Sequence, residues 1–173
     1  YLNFHYIAKF IPFRWVKKLL FRRLHNCFGG HFRSFMSGGA PYDFETAKFF
    51  RRIGIEVYEG YGLTETSPVA SFNSGWNRDL KSVGKLLPGF EGKIDEETGE
   101  LLLRGPSIMK GYHNQPELTA AAIDEEGWFH TGDKARLEKR NIYITGRLKN
   151  MIVLSGGKKV FPEEVEAVLE KSD

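Results

Sequence analysis

A chain of 173 residues, 41% of them hydrophobic, can bury the core of one domain, or of one domain and part of another. Its net charge of +3 is what remains of 25 basic and 22 acidic side chains, and so small a surplus makes no case for nucleic acid as a partner. The single cysteine, Cys27, excludes an internal disulfide and any multi-cysteine zinc cluster, and no apolar run approaches the ~20 residues that cross a bilayer, so the compartment is read as cytoplasmic.

The first predicted element is a helix over residues 12–24. Phe13, Trp15, Val16, Leu19, Leu20 and Leu24 fall at helical spacing, Arg14, Lys17, Lys18 and Arg22 gather opposite them, and Pro12 stands where a helix would start. Phe21 and Arg23 break the pattern. Such a helix suits peripheral contact with an anionic membrane or, as the favoured reading, a surface helix packed on its own domain. After Gly29-Gly30, His31 to Met36 predicts a strand that runs into the loop Ser37-Gly38-Gly39-Ala40-Pro41. Asp43 is the expected N-cap of a helix with apolar positions Phe44, Ala47, Phe50 and Ile53, and Gly54 supplies its left-handed stop. Ile55 to Glu59 is a second strand, entering the loop Gly60-Tyr61-Gly62. Strand, helix and strand in that order make an α/β crossover, which places both glycine loops at one edge of a parallel sheet, where ligands bind.

From Ser82 the pattern changes to short strands punctuated by glycine, which predicts an antiparallel meander or barrel. Leu101 to Arg104 is its clearest strand, and Pro116 to Ala122 a short inserted helix. Strands around Tyr143 and Ile152 follow, then a helix from Pro162 in which Val165, Val168 and Leu169 share a face. The fold class is therefore α/β, with α+β character: the end of a parallel α/β sheet (1–81), a β-barrel-like subdomain (82–147) and the start of a small C-terminal α+β domain (148–173). The chain opens at Tyr1 without methionine and stops inside a helical pattern, so both ends are expected to be internal to a longer protein.

Several short patterns carry chemistry. In Gly60-Tyr61-Gly62-Leu63-Thr64-Glu65, glycine lets the backbone approach a ligand, Tyr61 offers a stacking face, Thr64 a hydroxyl and Glu65 a hard oxygen for Mg²⁺; a tight turn would need no more than the glycines. It is neither a Walker loop nor a dinucleotide fingerprint. Asp133 in Thr131-Gly132-Asp133 suits two vicinal hydroxyls or a capped turn. Arg147 and Lys149 suit phosphate or ribose or a solvated surface, and Ser155-Gly156-Gly157-Lys158-Lys159 a flexible turn or a phosphate-lined passage. Trp128, Phe129, Tyr112 and Tyr143 are read as packing residues, and His5, His25, His31, His113 and His130 show no metal-ligand spacing.

Taken together, YEGYGLTETSP (58–68), GELLLRGPSIMKGYHNQPELT (99–119), GWFHTGD (127–133) and GRLKNMIVLSGGKKVFPEEVE (146–166) resemble the conserved blocks of the adenylate-forming (AMP-binding) superfamily of acyl-CoA synthetases, luciferases and peptide-synthetase adenylation domains. The likeness covers the chain from about Ser37 onward and is most similar to long-chain fatty acid–CoA ligases. It implies an ATP-dependent acid–thiol ligase that makes acyl-AMP from a carboxylic acid and then acyl-CoA, with ATP, Mg²⁺, coenzyme A and a fatty acid as small-molecule partners. Gly38, Gly39 and Ala40 would lie between adenine and the acyl pocket, Tyr61 would stack on adenine beside Gly62, Thr64 would meet phosphate and Glu65 would hold Mg²⁺. Asp133 would accept the ribose hydroxyls with Arg147 nearby, Lys149 would be the hinge of the mobile C-terminal domain, and Gly157 would line the pantetheine tunnel. Nothing in the chain matches the family's phosphate loop or its carboxylate-clamping lysine, so the chain alone is expected to be inactive. The alternatives are a ligase using an acyl carrier protein or another thiol, and a non-catalytic nucleotide- or partner-binding module.

Overall fold

The computed structural model describes residues 8–39, 43–75, 78–156, 159–160 and 162–169. Residues 12–24 do not form one helix. Helix α1 (Arg14–Leu20) and helix α2 (Arg22–Cys27) are separated at Phe21, whose φ of −104° and ψ of 29° depart from helical values although its N–H and carbonyl still bond to Lys17 and His25, and Pro12 lies outside α1, whose N-cap is Phe13. The break turns Phe21 and His25 inward, and both are buried. The face that packs is also the reverse of the one amphipathicity suggests. Arg14 donates to the carbonyls of Gly54 and Arg33, and Lys17 to that of Arg51, whereas Phe13, Trp15, Leu19 and Leu20 are exposed. A helix C-terminus is a cluster of unpaired carbonyls carrying partial negative charge, and the cations of α1 satisfy it. Burial accordingly lowers the Lys17 ammonium from its usual range.

The crossover forms where the sequence places it. Strand β1 (Ser34–Gly38) starts later than expected because the turn after α2 continues through His31. Helix α3 (Phe44–Ile53) begins with Asp43 accepting from the Thr46 N–H at 2.7 Å and ends at Gly54, whose φ of 92° is the left-handed stop. Strand β2 (Glu56–Tyr61) then pairs in parallel with β1, Ser37 opposite Glu59 and Gly38 opposite Gly60, so both glycine segments emerge at one edge. Ile53, Ile55 and Phe21 form the core of this layer, with Phe35, Phe49 and Phe50 packed on it.

Every other pairing is antiparallel. Strands β3 (Ser71–Asn73), β4 (Gly84–Leu86), β5 (Glu91–Ile94), β6 (Glu100–Arg104), β7 (Phe129–Glu138) and β8 (Asn141–Arg147) extend the same sheet in the order β1-β2-β3-β4-β8-β7-β6-β5. This eight-stranded mixed sheet bears out the α/β reading. Its antiparallel part curls over Leu86, Phe90, Leu101, Leu103, Ala135 and Ile142. A Cβ on Gly92 of β5 would stand 2.9 Å from Leu86 Cδ1 of β4, so the edge strand approaches across the core although the two are not neighbours in the ladder. Burying Leu101, Leu103 and Ile142 contributes about 2 kcal/mol apiece. Helix α4 (Pro116–Ala122) is the insertion the sequence predicts. A separate pair, β9 (Ile152–Val153) with β10 (Lys159–Val160), and helix α5 (Pro162–Leu169) end the described chain.

Candidate functional site

Three segments meet at the carboxyl edge of β1 and β2. Gly38 and Gly60 lie side by side so closely that a Cβ on Gly38 would stand 3.2 Å from the Gly60 carbonyl oxygen. Tyr61, at the end of β2, donates its hydroxyl to Asp133 Oδ2 at 2.7 Å, and Arg147 Nε, at the end of β8, pairs with Asp133 Oδ1 at 3.0 Å. Residues separated by 72 and 14 positions thus share one carboxylate, and Asp133 is 2% exposed. Burial, and after it the charge of Asp133 and the bond to it, hold the Tyr61 phenol above its usual range, so it stays a donor.

Thr64, Glu65 and Thr66 form a single 3₁₀ turn beyond Gly62, closed by Leu63 N–H to Thr66 Oγ1 at 2.9 Å. The Glu65 carbonyl accepts from the Met109 N–H and its carboxylate from the Tyr112 hydroxyl, each at 2.8 Å, which lays the 105–113 loop over this turn. Tyr112 is therefore not a packing residue: it is exposed, and the bond to Glu65, followed by burial, raises its phenol. Trp128 and Phe129 are buried as expected, Trp128 with Lys93 and Arg104 over its ring. Among the described residues no three His, Cys, Asp or Glu side chains converge as a metal cage. A lone hard carboxylate such as Glu65 still fits Mg²⁺, which commonly takes one or two protein carboxylates and completes its shell with water and substrate phosphate.

Lys149 lies in the 3₁₀ turn Leu148–Asn150 that leads from β8 towards β9, two residues past the end of β8 at Arg147. Gly39 is described and has open space where a Cβ would stand. Ala40, Gly157 and His5 lie outside the described residues. An open cavity of about 520 Å³, lined by residues including Trp15, Lys18, Arg22 and His31, belongs to the opposite, amino edge of the parallel strands. It borders the exposed apolar face of α1 and contains none of the residues above.

Two participants escape sequence reading. Glu59, on the same side of β2 as Tyr61 and 8% exposed, has its carboxyl raised by burial to about 7. Glu100, also 8% exposed, accepts from the Gly132 N–H at 2.7 Å and pairs with His130 Nδ1 at 3.0 Å. Both stand inside the family-like blocks 58–68 and 99–119, but those blocks assign them no role, because that role depends on strand register.

Glu59 makes a prediction about stability. The folded carboxyl keeps its proton up to about pH 7 while an unfolded one releases it near 4.5, so the folded state binds the extra proton between those values and stability falls as pH rises through them. Glu59→Gln should remove this fall and stabilise the protein by about 2 kcal/mol at pH 8, allowing for partial solvation, with little effect at pH 4. Denaturant unfolding at the two pH values reads it; an unchanged pH dependence in the variant would assign the effect to another group.

Residues 11–113 match the family described as AMP-binding enzyme. The human long-chain-fatty-acid–CoA ligase ACSBG1 is 45% identical over 138 residues, which are 77% of this chain and 19% of that protein. Human ACSBG2, of the same description, is 36% identical over 167 residues, 93% of this chain and 25% of that protein. Among solved structures, ATP-bound MatB from Rhodopseudomonas palustris superposes with a TM-score of 0.74 at 32% identity, covering 83% of this chain and 31% of that one. The O-succinylbenzoate coenzyme A synthetase MenE from Bacillus subtilis, in complex with ATP and magnesium ion, gives 0.71 at 32% identity, covering 80% and 31%. The chain thus spans a quarter or less of the length of these two ligases.

Proposed function

The chain belongs to the AMP-binding enzyme family, and from that premise we propose that it supplies the nucleoside end of the active site of an AMP-forming acid–thiol ligase acting on long-chain fatty acids. The observation that carries this reading is the corner where Tyr61 and Arg147 converge on the buried Asp133. Each Asp133 oxygen accepts one of these donors and keeps acceptor capacity for a ribose hydroxyl. The Tyr61 ring is fixed through its own hydroxyl and would offer a face for adenine beside a sugar held by Asp133. Gly38, Gly39 and Gly60 let ligand and backbone approach at the edge.

In the proposed reaction the acid's carboxylate attacks the α-phosphate of ATP, the new P–O bond forms as pyrophosphate leaves, and a thiol then displaces AMP from the acyl carbon. Mg²⁺ bound at Glu65 would supply charge neutralisation for two anions brought together. Thr64, next to it, would hold a phosphate oxygen. The domain division 1–81, 82–147 and 148–173 belongs to the same reading, with Lys149 as the hinge. The homologues named for long-chain fatty acids support that acid, and coenzyme A as thiol. The exposed face of Phe13, Trp15, Leu19 and Leu20 supports peripheral membrane contact, which co-sedimentation of the full-length protein with anionic vesicles would reveal and lack of pelleting would refute.

The test of the function uses the full-length protein with acids of graded length. Adenylate and thioester should form best with long chains. Lys149→Pro fixes φ at the turn and should spare adenylate formation while thioester formation falls about 100-fold. Equal loss in both half-reactions would reject the hinge, and no preference for long acids would reject the substrate.

A further inference from the structure

We propose that Glu100 is a positioning residue that presents Asp133 to the ribose, and so sets how strongly the site depends on the ribose hydroxyls. This rests on the reading of Asp133 as ribose acceptor.

Strands β6 and β7 pair with Glu100 opposite Lys134 and Leu102 opposite His130. Leu101 alone therefore faces Thr131, Gly132 and Asp133, and the surplus residues bulge out of the ladder. A bulge re-aims a side chain at the cost of backbone groups left without ladder partners. Here side chains take over that bonding. Glu100 Oε1 accepts from the Gly132 N–H at 2.7 Å, the Thr131 hydroxyl donates to the Leu101 carbonyl at 2.7 Å, and the Asp133 N–H reaches Thr131 Oγ1 at 3.1 Å. Gly132 takes a φ of 72°, which an L side chain would resist.

Glu100 is itself held from behind. Its N–H donates to Thr98 Oγ1 at 3.1 Å, its carbonyl accepts from the Asp95 N–H at 2.9 Å, and its second carboxylate oxygen meets His130 Nδ1. The β5–β6 turn, the buried carboxylate and the bulge thus form one chain of bonds ending at Asp133. A charged acceptor on a buried N–H is among the stronger hydrogen bonds, so withdrawing it should release the bulge and let the Asp133 carboxylate turn away from the sugar.

The experiment compares AMP with 2′,3′-dideoxy-AMP by calorimetry on the full-length protein and its Glu100→Asp, Glu100→Gln and Asp133→Ala variants. Aspartate keeps the charge but falls short of the Gly132 N–H; glutamine keeps the reach and an acceptor. Glu100→Asp should weaken AMP by about 10-fold and leave the dideoxy nucleotide unchanged, whereas Glu100→Gln should stay within about 3-fold of the parent for both. Equal weakening of the two nucleotides in Glu100→Asp, or no weakening of either, would overturn the proposal while Asp133→Ala still discriminates between them. If Asp133→Ala changes neither nucleotide's affinity, the ribose reading of Asp133 fails, and the role of Glu100 with it.

Discussion

Glu65→Gln in the full-length protein is expected to slow acyl-adenylate formation by about 100-fold, with the loss concentrated in the step that makes the adenylate. The residue stands on a one-turn 3₁₀ segment at the sheet edge, with its carboxylate directed to the Tyr112 hydroxyl of the loop above it. Glutamine preserves shape and can still accept from Tyr112, so the fold should be retained. What it removes is the anionic oxygen, and a carbonyl is a poor replacement where Mg²⁺ must hold phosphate oxygens against an incoming carboxylate. Single-turnover adenylation measured across Mg²⁺ concentrations separates the possibilities: the variant should require more Mg²⁺, and an unaltered Mg²⁺ dependence would remove Glu65 from that role.

Gly62→Ala is expected to destabilise the protein by about 3 kcal/mol or more and to abolish nucleotide binding at the same time. The segment after β2 folds back so tightly that a Cβ on Gly62 would stand 2.0 Å from the Pro68 carbonyl oxygen and 2.8 Å from Thr66 Oγ1. The first obstacle is backbone, which cannot rotate out of the way, and Thr66 is fully buried. Relief requires the 62–68 loop to move as a unit, carrying Thr64 and Glu65 away from Tyr61. Thermal unfolding together with AMP titration measures both losses; near-parental stability would mean that this loop has room it is not expected to have.

These two positions show how legible the site was. The glycine at 62 is visible in the sequence, where it suggests close approach of a ligand; the geometry adds a reason internal to the protein, the Pro68 carbonyl. The α/β crossover is legible because its signals are local: Asp43 and Gly54 cap α3 through bonds and dihedrals set within a few residues. Helix 12–24 was legible only as a pattern. Amphipathicity says which residues share a face, not which face the protein needs, and here Arg14 and Lys17 are drawn inward by the carbonyls of Arg51 and Gly54. Phe21, an exception to the pattern, proves to be the residue that breaks the helix and enters the core.

Glu100 and Tyr112 stand inside the family-like block 99–119, yet their roles were not legible there, for a related reason. Each acts on a residue 30 or more positions away, Gly132 and Glu65 respectively, and the contact depends on a bulged register or a loop crossing that no local spacing encodes. Asp133 also belongs to a block of text that resembles a known family, and the structure adds what that text does not state, the Tyr61 hydroxyl on one of its oxygens and the Arg147 guanidinium on the other.

Acid-dependent exchange of labelled pyrophosphate into ATP reads the adenylating step itself, because only a reversible acyl-adenylate step links the two. The full-length protein should catalyse exchange that requires both Mg²⁺ and a long-chain fatty acid, while the 173-residue chain alone should catalyse none and bind AMP about as well as ATP. Exchange by the full-length protein that proceeds without any acid, or sustained exchange by the 173-residue chain, would contradict the assignment of the Tyr61–Asp133 corner to the nucleoside end of a larger adenylating site.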